Sequence, residues 1–328
     1  MPQLSYRDAV IQALDEEMAR DPDVFLFGQD VGRMGGNFAT TRGLFGRYGP
    51  DRVRDTAISE DAIVGAAIGA SVCGLRPVAE IMFSSFLGCC WDELINHASQ
   101  LHYVSNGAIS PRLTIRTVNV LGRSSGCHHS GRPEAALMHI PGLAVAAPAD
   151  PRDVKGLLKA SIRSDNPVVF IENALLYGER CEIDQPAPDL VEFGQARTVR
   201  NGSDLTILSY SGGVRIAVAA ASVLQAQGIS AEVLDLRTLA PLDTDGILRS
   251  AARTKRALVV EEDVRTCGVG AEIIALLCEQ VGGDLDRPPL RVAAADVPVP
   301  FSPVLEEAIA PTALKVVLAA RRLAGEAA

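Results

Sequence analysis

The stretch VRDTAISEDAIVGAAIGASVCGLRPVAEIMF, residues 53–83, decides the fold class of this chain. It opens with a strand pattern at 53–56, continues with a small-residue helix pattern from Asp61, and closes with a second strand pattern at 77–83. Strand, helix and strand in this order are typical of a parallel sheet that is covered by helices. The stretch therefore predicts an α/β protein.

The same alternation extends to both sides of this stretch. Helix patterns occur from 9, at 87–104, at 151–162, from 214, at 243–252 and from 271, and strand patterns at 24–27, 113–117, 143–147, 168–172, 204–210, 231–236, 257–261 and 290–294. The alternation lapses between 177 and 194, where polar residues and prolines are typical of a linker. Because 328 residues exceed the usual size of one core, we predict two domains with parallel, helix-covered sheets, at 1–190 (with the linker from about 178) and 191–328.

Composition excludes several classes of protein. With 48% apolar and 22% charged residues the chain is not disordered, and a net charge of −9 disfavours nucleic-acid binding. No apolar stretch is long enough to span a membrane, and the acidic first helix lacks the order of a secretory signal, so we expect a cytoplasmic location. Seven cysteines without a CxxC pair predict reduced, mostly buried thiols. Small molecules or proteins are the expected partners.

The first candidate for chemistry is Glu60, in the segment Ile58-Ser59-Glu60-Asp61. Ligands in open α/β sheets bind at the carboxyl ends of strands, which is where this segment is predicted to lie. We expect Ser59 or Asp61 to cap the helix that follows. The alternative is that Glu60 is a solvated residue that complements the helix dipole.

The second candidate is the loop Gly126-Cys127-His128-His129-Ser130. Zinc binding is disfavoured because three consecutive residues seldom converge on one tetrahedral ion, and hydrolysis is disfavoured because no GxSxG motif occurs. A plain surface loop remains the alternative to a functional histidine. The turn Cys267-Gly268-Val269-Gly270 lacks the third glycine of a dinucleotide-binding motif, so tight turn geometry explains it equally well.

Together these segments resemble the β subunit of pyruvate, branched-chain 2-oxo acid and acetoin dehydrogenases, from Tyr6 to Arg322. The motifs that carry the resemblance are FGQDVG at 27–32, ISE at 58–60, GAAIG at 65–69, HIPGL at 139–143, DLRTL at 235–239 and DVPVP at 296–300. The resemblance implies a transketolase-like fold, with a pyrimidine-binding domain followed by a transketolase C-terminal-type domain, and an oxidoreductase that depends on thiamine diphosphate.

The resemblance also implies roles for single residues. Glu60 would bind N1′ of the aminopyrimidine, where protonation favours the imino tautomer that removes the C2 proton. Ile58, Met82 and Phe86 would lie against the ring, with ordinary core packing as their alternative. His129 would assist the transfer of the acyl group to a lipoyl arm.

Metal ions enter through the same resemblance. Potassium would be held by main-chain oxygens at the matching positions Leu113, Ser161, Ile162, Ser164 and Asn166. No Gly-Asp-Gly segment occurs in the chain, so an α-type partner subunit that carries this motif would hold Mg²⁺ and the diphosphate. The resemblance therefore implies an α2β2 heterotetramer, in which the β chain is active only with its partner.

Six residues near the expected site depart from the family pattern. Gln29 replaces a usually acidic residue, Ser85 an aspartate or asparagine, Ala108-Ile109 a Gly-Gln pair, and Gly131-Arg132 a Gln-Ser pair. We hypothesise that Arg132 contacts an anionic acceptor or substrate, with a solvent-facing arginine as the alternative.

Three functions follow from these observations. The first is the β subunit of an E1 component that decarboxylates a 2-oxo acid or cleaves acetoin and passes the acyl unit to a lipoyl acyltransferase (E2). The second is a two-subunit thiamine-dependent carboligase without a lipoyl partner. The third is a noncatalytic assembly subunit.

Overall fold

The computed structural model describes residues 3–182 and 190–325, which form two compact units. The first unit takes the described residues of 1–120, 128–146 and 150–193, and the second takes those of 121–127, 147–149 and 194–328. Two short segments that the sequence assigned to the first domain, 121–127 and 147–149, thus belong to the second unit. Residues 183–189 of the predicted linker lie outside the described residues.

The first unit is built on a parallel sheet. Its neighbouring strands follow the order β6, β7, β5, β4, β2, β3, and a separate antiparallel pair joins β1 to β8. Strands β5 and β7 are buried along their whole length, as expected for strands that are covered on both faces. Its elements are β1 (Gln3–Ser5), α1 (Tyr6–Arg20), β2 (Val24–Gly28), α2 (Leu44–Tyr48), β3 (Val53–Asp55), α3 (Glu60–Val72), β4 (Arg76–Ile81), α4 (Leu101–Val104), β5 (Thr114–Asn119), α5 (Glu134–Met138), β6 (Ala144–Ala146), α6 (Pro151–Arg163), β7 (Val168–Asn173) and β8 (Arg180–Glu182).

The single helix predicted from 87 to 104 is wrong. The chain forms a 3-10 helix at Ser84–Cys90, a π-helix at Glu93–Ala98 and then the short α4. Ser84, Leu87 and Cys90 are the buried residues of the 3-10 helix, and their spacing of three matches its three residues per turn. Burial of this stripe therefore explains why the tighter helix replaces an α-helix.

A charged cluster lies inside the first unit. Arg116 on β5 is 1% exposed and pairs with Glu80 on β4 at 2.8 Å and with Glu172 on β7 at 2.6 Å. Tyr177 donates a hydrogen bond to Glu172. Burial raises the pKa of Glu80 despite the adjacent guanidinium. The cluster ties three neighbouring strands together, and loss of one partner would leave an uncompensated buried charge.

The second unit is a smaller α/β sheet in the order β14, β13, β10, β11, β9. All pairs are parallel except that of β9 with β11, and helices α7 and α11 cover an apolar core. Two units with mostly parallel, helix-covered sheets confirm the predicted fold class. The elements are β9 (Arg197–Arg200), β10 (Leu205–Ser209), α7 (Gly212–Ala226), β11 (Ala231–Asp235), β12 (Thr238–Ala240), α8 (Thr244–Thr254), β13 (Ala257–Val264), α9 (Val269–Val281), β14 (Leu290–Ala294), α10 (Pro303–Ile309) and α11 (Ala313–Ala324).

The expectation of mostly buried thiols is wrong. Only Cys90 is buried and Cys181 is half-buried, whereas the other five cysteines are exposed. Several of the exposed thiols lie at turns and helix ends, such as Cys73 at the end of α3 and Cys267 in a left-handed turn. Within the described ranges, no helix has both the length and the apolar character needed to cross a bilayer.

Candidate active site

Glu60 is the first residue of α3 and lies five residues after Asp55, where β3 ends. Its side chain is buried, and Oε1 accepts a hydrogen bond of 3.1 Å from Nε2 of Gln29. Gln29 follows the neighbouring parallel strand β2, so two adjacent strand ends bring the pair together. The alternative of a solvated Glu60 is therefore wrong.

The backbone before Gln29 leaves no room for a side chain. Gly28 has a φ of +157°, and a Cβ there would lie 2.6 Å from the carbonyl oxygen of Glu80 on β4. Only glycine fits this close approach of two strands. The last residue of β2 thus fixes where the chain leaves the sheet and where the Gln29 amide begins.

The two neighbouring carboxylates at the start of α3, Glu60 and Asp61, lie in different surroundings. Ser59 occupies the cap position but its side chain caps no backbone N–H, so the expected Ser59 cap is wrong. Instead, Asp61 accepts hydrogen bonds from the Ser59 hydroxyl and the Ala62 N–H, both at 2.7 Å, and these bonds lower the pKa of Asp61. Asp61 is exposed and serves the helix end, which leaves the buried Glu60 for another task.

Of the residues expected to contact a pyrimidine ring, Met82 and Phe86 follow β4, and Ile58 lies between β3 and α3. Met82 and Phe86 are half-buried, whereas Ile58 is 82% exposed. The 3-10 helix that contains Phe86 packs against α3, which begins at Glu60. Cys90, at the end of this 3-10 helix, is fully buried, and burial together with nearby carboxylates raises its thiol pKa to about 12.

His129 lies between two aromatic rings. Its imidazole is 4.7 Å from the ring centroid of Phe83, edge to face, and 5.4 Å from that of Phe86. His129 is half-buried, whereas its neighbour His128 is exposed. The structure therefore brings Phe86 and His129 together, and the plain surface loop does not describe His129.

Two serines that the sequence did not single out as site residues hold the His129 loop. Ser85 Oγ donates to the carbonyl oxygen of His128 at 2.8 Å, and Ser84 Oγ lies 2.7 Å from that of Gly131. Ser84 also contacts Asn119 at the end of β5, which in turn donates to Glu134. Two features of the sequence could have indicated these contacts. One is Asn119, a polar residue at the end of the buried strand β5, and the other is the departure from the family pattern at Ser85 and Gly131.

Arg132 is half-buried rather than solvent-facing, so that alternative is wrong. The buried hydroxyl of Ser130, which precedes Gly131, has no hydrogen-bond partner among the described residues. The loop from His129 to Arg132 thus carries several polar groups that are withdrawn from solvent. Their contact with a substrate remains a prediction.

The five positions expected to bind potassium lie around the end of α6. Carbonyl oxygens of Ile162 and Ser164 converge on one cation, Nη1 of Arg76, at 3.1 and 3.0 Å. The backbone N–H groups of Val168 and Ser164 donate to the carbonyls of Leu113 and Ser161, and the Asn166 N–H donates to Ser164 Oγ. Main-chain carbonyl oxygens are ligands of the type that alkali cations bind. The Arg76 guanidinium already donates hydrogen bonds to two of them.

The glycine turn before α9 is filled by the protein itself. Glu261 on β13 accepts a hydrogen bond of 2.8 Å from the Gly270 N–H, and a Cβ on Gly268 would lie 2.5 Å from the Val264 carbonyl oxygen. Tight turn geometry accounts for the motif. Residues 3–182 and 190–325 contain no group of three His, Cys, Asp or Glu side chains arranged to hold a metal ion.

Comparison with known proteins places this geometry in a family. The profile of the transketolase pyrimidine-binding domain matches residues 2–179, and that of the transketolase C-terminal domain matches 194–316. The chain is 40% identical to the acetoin:2,6-dichlorophenolindophenol oxidoreductase subunit beta of Cupriavidus necator, with 97% of each chain covered. It is 39% identical to a pyruvate dehydrogenase E1 component subunit beta of Rickettsia felis, with 98% of each covered.

The chain belongs to the family of E1 β-type subunits. A mitochondrial pyruvate dehydrogenase E1 component subunit beta-2 of Oryza sativa is 42% identical to this β-type chain over 98% of its length and 86% of the relative. The chain also resembles a solved split-gene transketolase, described as an inactive beta4 tetramer, with a TM-score of 0.82, 25% identity and 98% coverage. The family resemblance inferred from the sequence motifs is confirmed.

The residues of this β-type chain fit the pyrimidine half of thiamine diphosphate, the coenzyme of this family. A buried carboxylate at a strand end suits a ring nitrogen that must be protonated, and one of its oxygens is already fixed by an uncharged amide. Phe86 and Met82 offer apolar contacts close to the same helix. Within the described ranges, no comparable group of His, Cys, Asp or Glu side chains is arranged to hold Mg²⁺.

Proposed function

We propose that this chain is the β subunit of a heteromeric, thiamine-diphosphate-dependent E1 component. With its α subunit it decarboxylates a 2-oxo acid, or cleaves acetoin, and passes the acyl unit to a lipoyl acyltransferase. The observation that carries the proposal is the buried Glu60 at the start of α3, held by Gln29 and lying beside the segment that packs on His129. The relatives named above support it.

Glu60 is proposed to protonate N1′ of the aminopyrimidine. Gln29 occupies Oε1, which leaves Oε2 as the oxygen that can share a proton with the ring. When bound, thiamine diphosphate would supply a nucleophilic carbon at C2 and an electron sink for decarboxylation. Met82, Phe86 and the exposed Ile58 are proposed to form the ring contacts, with Ile58 covered when the partner binds.

His129 is proposed to assist acyl transfer as an acid or positioning group. The Phe83 ring lies edge to face with its imidazole and the Phe86 ring is tilted toward it, so that ring packing orients the imidazole nitrogens. Arg132 is proposed to contact an anionic acceptor or substrate from the same half-buried loop.

The partner is proposed to be an α-type subunit with a Gly-Asp-Gly motif that holds Mg²⁺ and the diphosphate, in an α2β2 heterotetramer. The support is that the β chain lacks this motif while its family uses the coenzyme. Activity of the β chain is proposed to require this partner. Analytical ultracentrifugation of the mixed subunits tests the stoichiometry.

Potassium is proposed to bind through the main-chain oxygens of Leu113, Ser161, Ile162, Ser164 and Asn166, beside the Arg76 guanidinium. Each carbonyl has two lone pairs, so a hydrogen bond to Arg76 leaves one for a cation. A melting temperature of the chain that rises in KCl but not in equal NaCl supports the site. Equal melting temperatures in both salts refute it.

The division into domains at 1–190 and 191–328 and a cytoplasmic location are also proposals. The contact units that change over at 193 and 194 support the division into domains. Limited proteolysis that cuts near 190 and fractionation of the source cells test them.

Reconstitution tests the whole proposal. The chain is mixed with an α-type subunit, thiamine diphosphate and Mg²⁺, and supplied with acetoin or a panel of 2-oxo acids. Dye reduction, lipoyl acylation and acyloin formation are followed separately. Dye reduction with lipoyl acylation supports the E1 function, acyloin formation without lipoyl acylation indicates a carboligase, and loss of all three with correct assembly indicates a noncatalytic subunit.

A further inference from the structure

The segment Phe83-Ser84-Ser85-Phe86 contacts the His129 loop with all four side chains. The two phenyl rings lie against the imidazole, and the two hydroxyls reach main-chain oxygens on either side of it, at His128 and Gly131. Contacts to both the ring and its flanking backbone restrict both the position and the rotation of the imidazole. No ion pair or metal is needed for this.

The segment contacts the loop through one buried hydroxyl, that of Ser84, and one more accessible hydroxyl, that of Ser85. Ser84, Asn119 and Glu134 are each 1% exposed or less, and they form a continuous hydrogen-bonded path from β5 to α5. Ser85 is half-buried and lies toward the surface. The contact of the Ser85 hydroxyl with the loop is therefore the one that a surface substitution can alter.

Ser85 and Gly131 are in direct contact. A Cβ on Gly131 would lie 2.8 Å from Cβ of Ser85 and 3.2 Å from its Cα, so any larger residue at 131 requires the serine or the loop to move. Gly131 does not have a positive φ, so the requirement is for space alone. Both positions depart from the family pattern, and the structure places the two departures against each other.

We propose that Ser84 and Ser85 are positioning residues for His129, and that Ser85 and Gly131 form a matched pair that sets where its imidazole lies. The catalytic consequence rests on the proposed function of His129, whereas the geometric claim does not. An imidazole that is displaced by about 1 Å is expected to transfer a group ten- to a hundredfold more slowly.

The geometric claim is tested on the full chain without coenzyme. Carbethoxylation of His129 is measured by mass spectrometry in the wild type, Gly131→Ala, Ser85→Gly and the double variant. Gly131→Ala should raise the rate about tenfold, and adding Ser85→Gly should return it close to that of Ser85→Gly alone because the clash is removed. The exposed His128 serves as internal reference, and Gly178→Ala, where a Cβ meets nothing within 4 Å, as the matched glycine control.

Additive effects of the two substitutions, or an unchanged His129 rate in Gly131→Ala, overturn the proposal. In the reconstituted enzyme, Gly131→Ala should slow lipoyl acylation about tenfold with decarboxylation nearly unchanged, and Ser85→Gly should restore part of the loss. Changed reactivity of His129 without any change in acylation would uphold the matched pair and refute the role proposed for His129.

Discussion

Each unit of this chain contains a buried glutamate close to the start of a helix, and the two differ in their surroundings. Glu60 begins α3 and has an uncharged amide, Gln29, on one oxygen. Glu261 lies on β13 and accepts the Gly270 N–H at the start of α9. Both are less than a tenth exposed.

The difference lies in what surrounds the second oxygen. Around Glu261, glycines 268 and 270 bring the backbone so close that a Cβ at either position would be within 3 Å of the carboxylate. Glu60 has apolar side chains and the His129 loop in its neighbourhood instead. A buried glutamate therefore packs against a turn of the backbone in one unit, and in the other it lies beside the residues that are proposed for chemistry.

The largest effect is expected from Glu60→Gln. The variant should keep its fold but lose the reconstituted activity about a thousandfold, because a neutral amide cannot exchange a proton with N1′. Turnover and deuterium exchange at C2 of the coenzyme measure this. Asp61→Asn is the matched control, since Asp61 is exposed and serves the helix end. Wild-type C2 exchange in Glu60→Gln would break the distinction between the two glutamates.

Glu261→Gln should change stability and not activity. Burial, reinforced by Asp263, raises the pKa of Glu261 to about 7 despite the Gly270 N–H, Arg291 and Arg265. The folded chain then holds a proton that the unfolded chain releases, so stability falls as pH rises from about 4.5 to about 7, by ~3 kcal/mol. Urea unfolding of the full chain across this range measures it.

The glutamine variant should lose this pH dependence, because its side chain stays neutral at every pH. An equally steep decline in Glu261→Gln would assign the effect to other groups. Reduced turnover in a correctly folded Glu261→Gln enzyme would contradict the purely structural role given to the second glutamate.

His129→Ala sharpens the functional side of the comparison. Lipoyl acylation should fall by about ten- to a hundredfold, while decarboxylation with an artificial electron acceptor falls much less. Single-turnover measurements of each step separate them. His128→Ala is the control, since that side chain is exposed. Equal losses in both steps would indicate that His129 supports the loop and not the transfer.

The smallest expected effect is that of Arg132→Ala. Loss of a cation that contacts an anionic substrate should raise its KM several-fold with a smaller change in kcat, as for contacts made in the bound ground state. Steady-state kinetics over a range of substrate concentrations measure this. Arg132→Lys, which keeps the charge, should recover part of the affinity, and an unchanged KM in Arg132→Ala would remove Arg132 from the site.

Much of the fold could be predicted because parallel strands leave continuous apolar runs between helix patterns. The strand predicted at 290–294 is observed as Leu290–Ala294, and the helix at 151–162 as Pro151–Arg163. The short pair β1 and β8 was missed, since three-residue strands carry no periodicity and their partners lie far apart in sequence. The split helix after Phe83 was missed because 3-10 and α-helices differ by less than one residue per turn, so a short apolar pattern fits both.

The site was predicted only in part. Glu60 and His129 could be proposed from family motifs, and the amide on Glu60 was visible as a departure at Gln29. The contacts of Ser84 and Ser85 with the loop span 47 and 43 residues of sequence, so no local pattern indicates them. Long-range hydrogen bonds to main-chain atoms leave little trace in side-chain types.

The buried thiol of Cys90 can report how often the structure opens beside Glu60. Its thiol has a pKa of about 12 and no exposed surface, while five other cysteines are open to solvent and Cys181 is half-buried. In a chain whose other six cysteines are replaced by serine, alkylation of Cys90 would occur only when the 3-10 helix lifts from α3. Its labelling rate would then measure how often the 3-10 helix separates from α3 beside Glu60, without coenzyme or substrate.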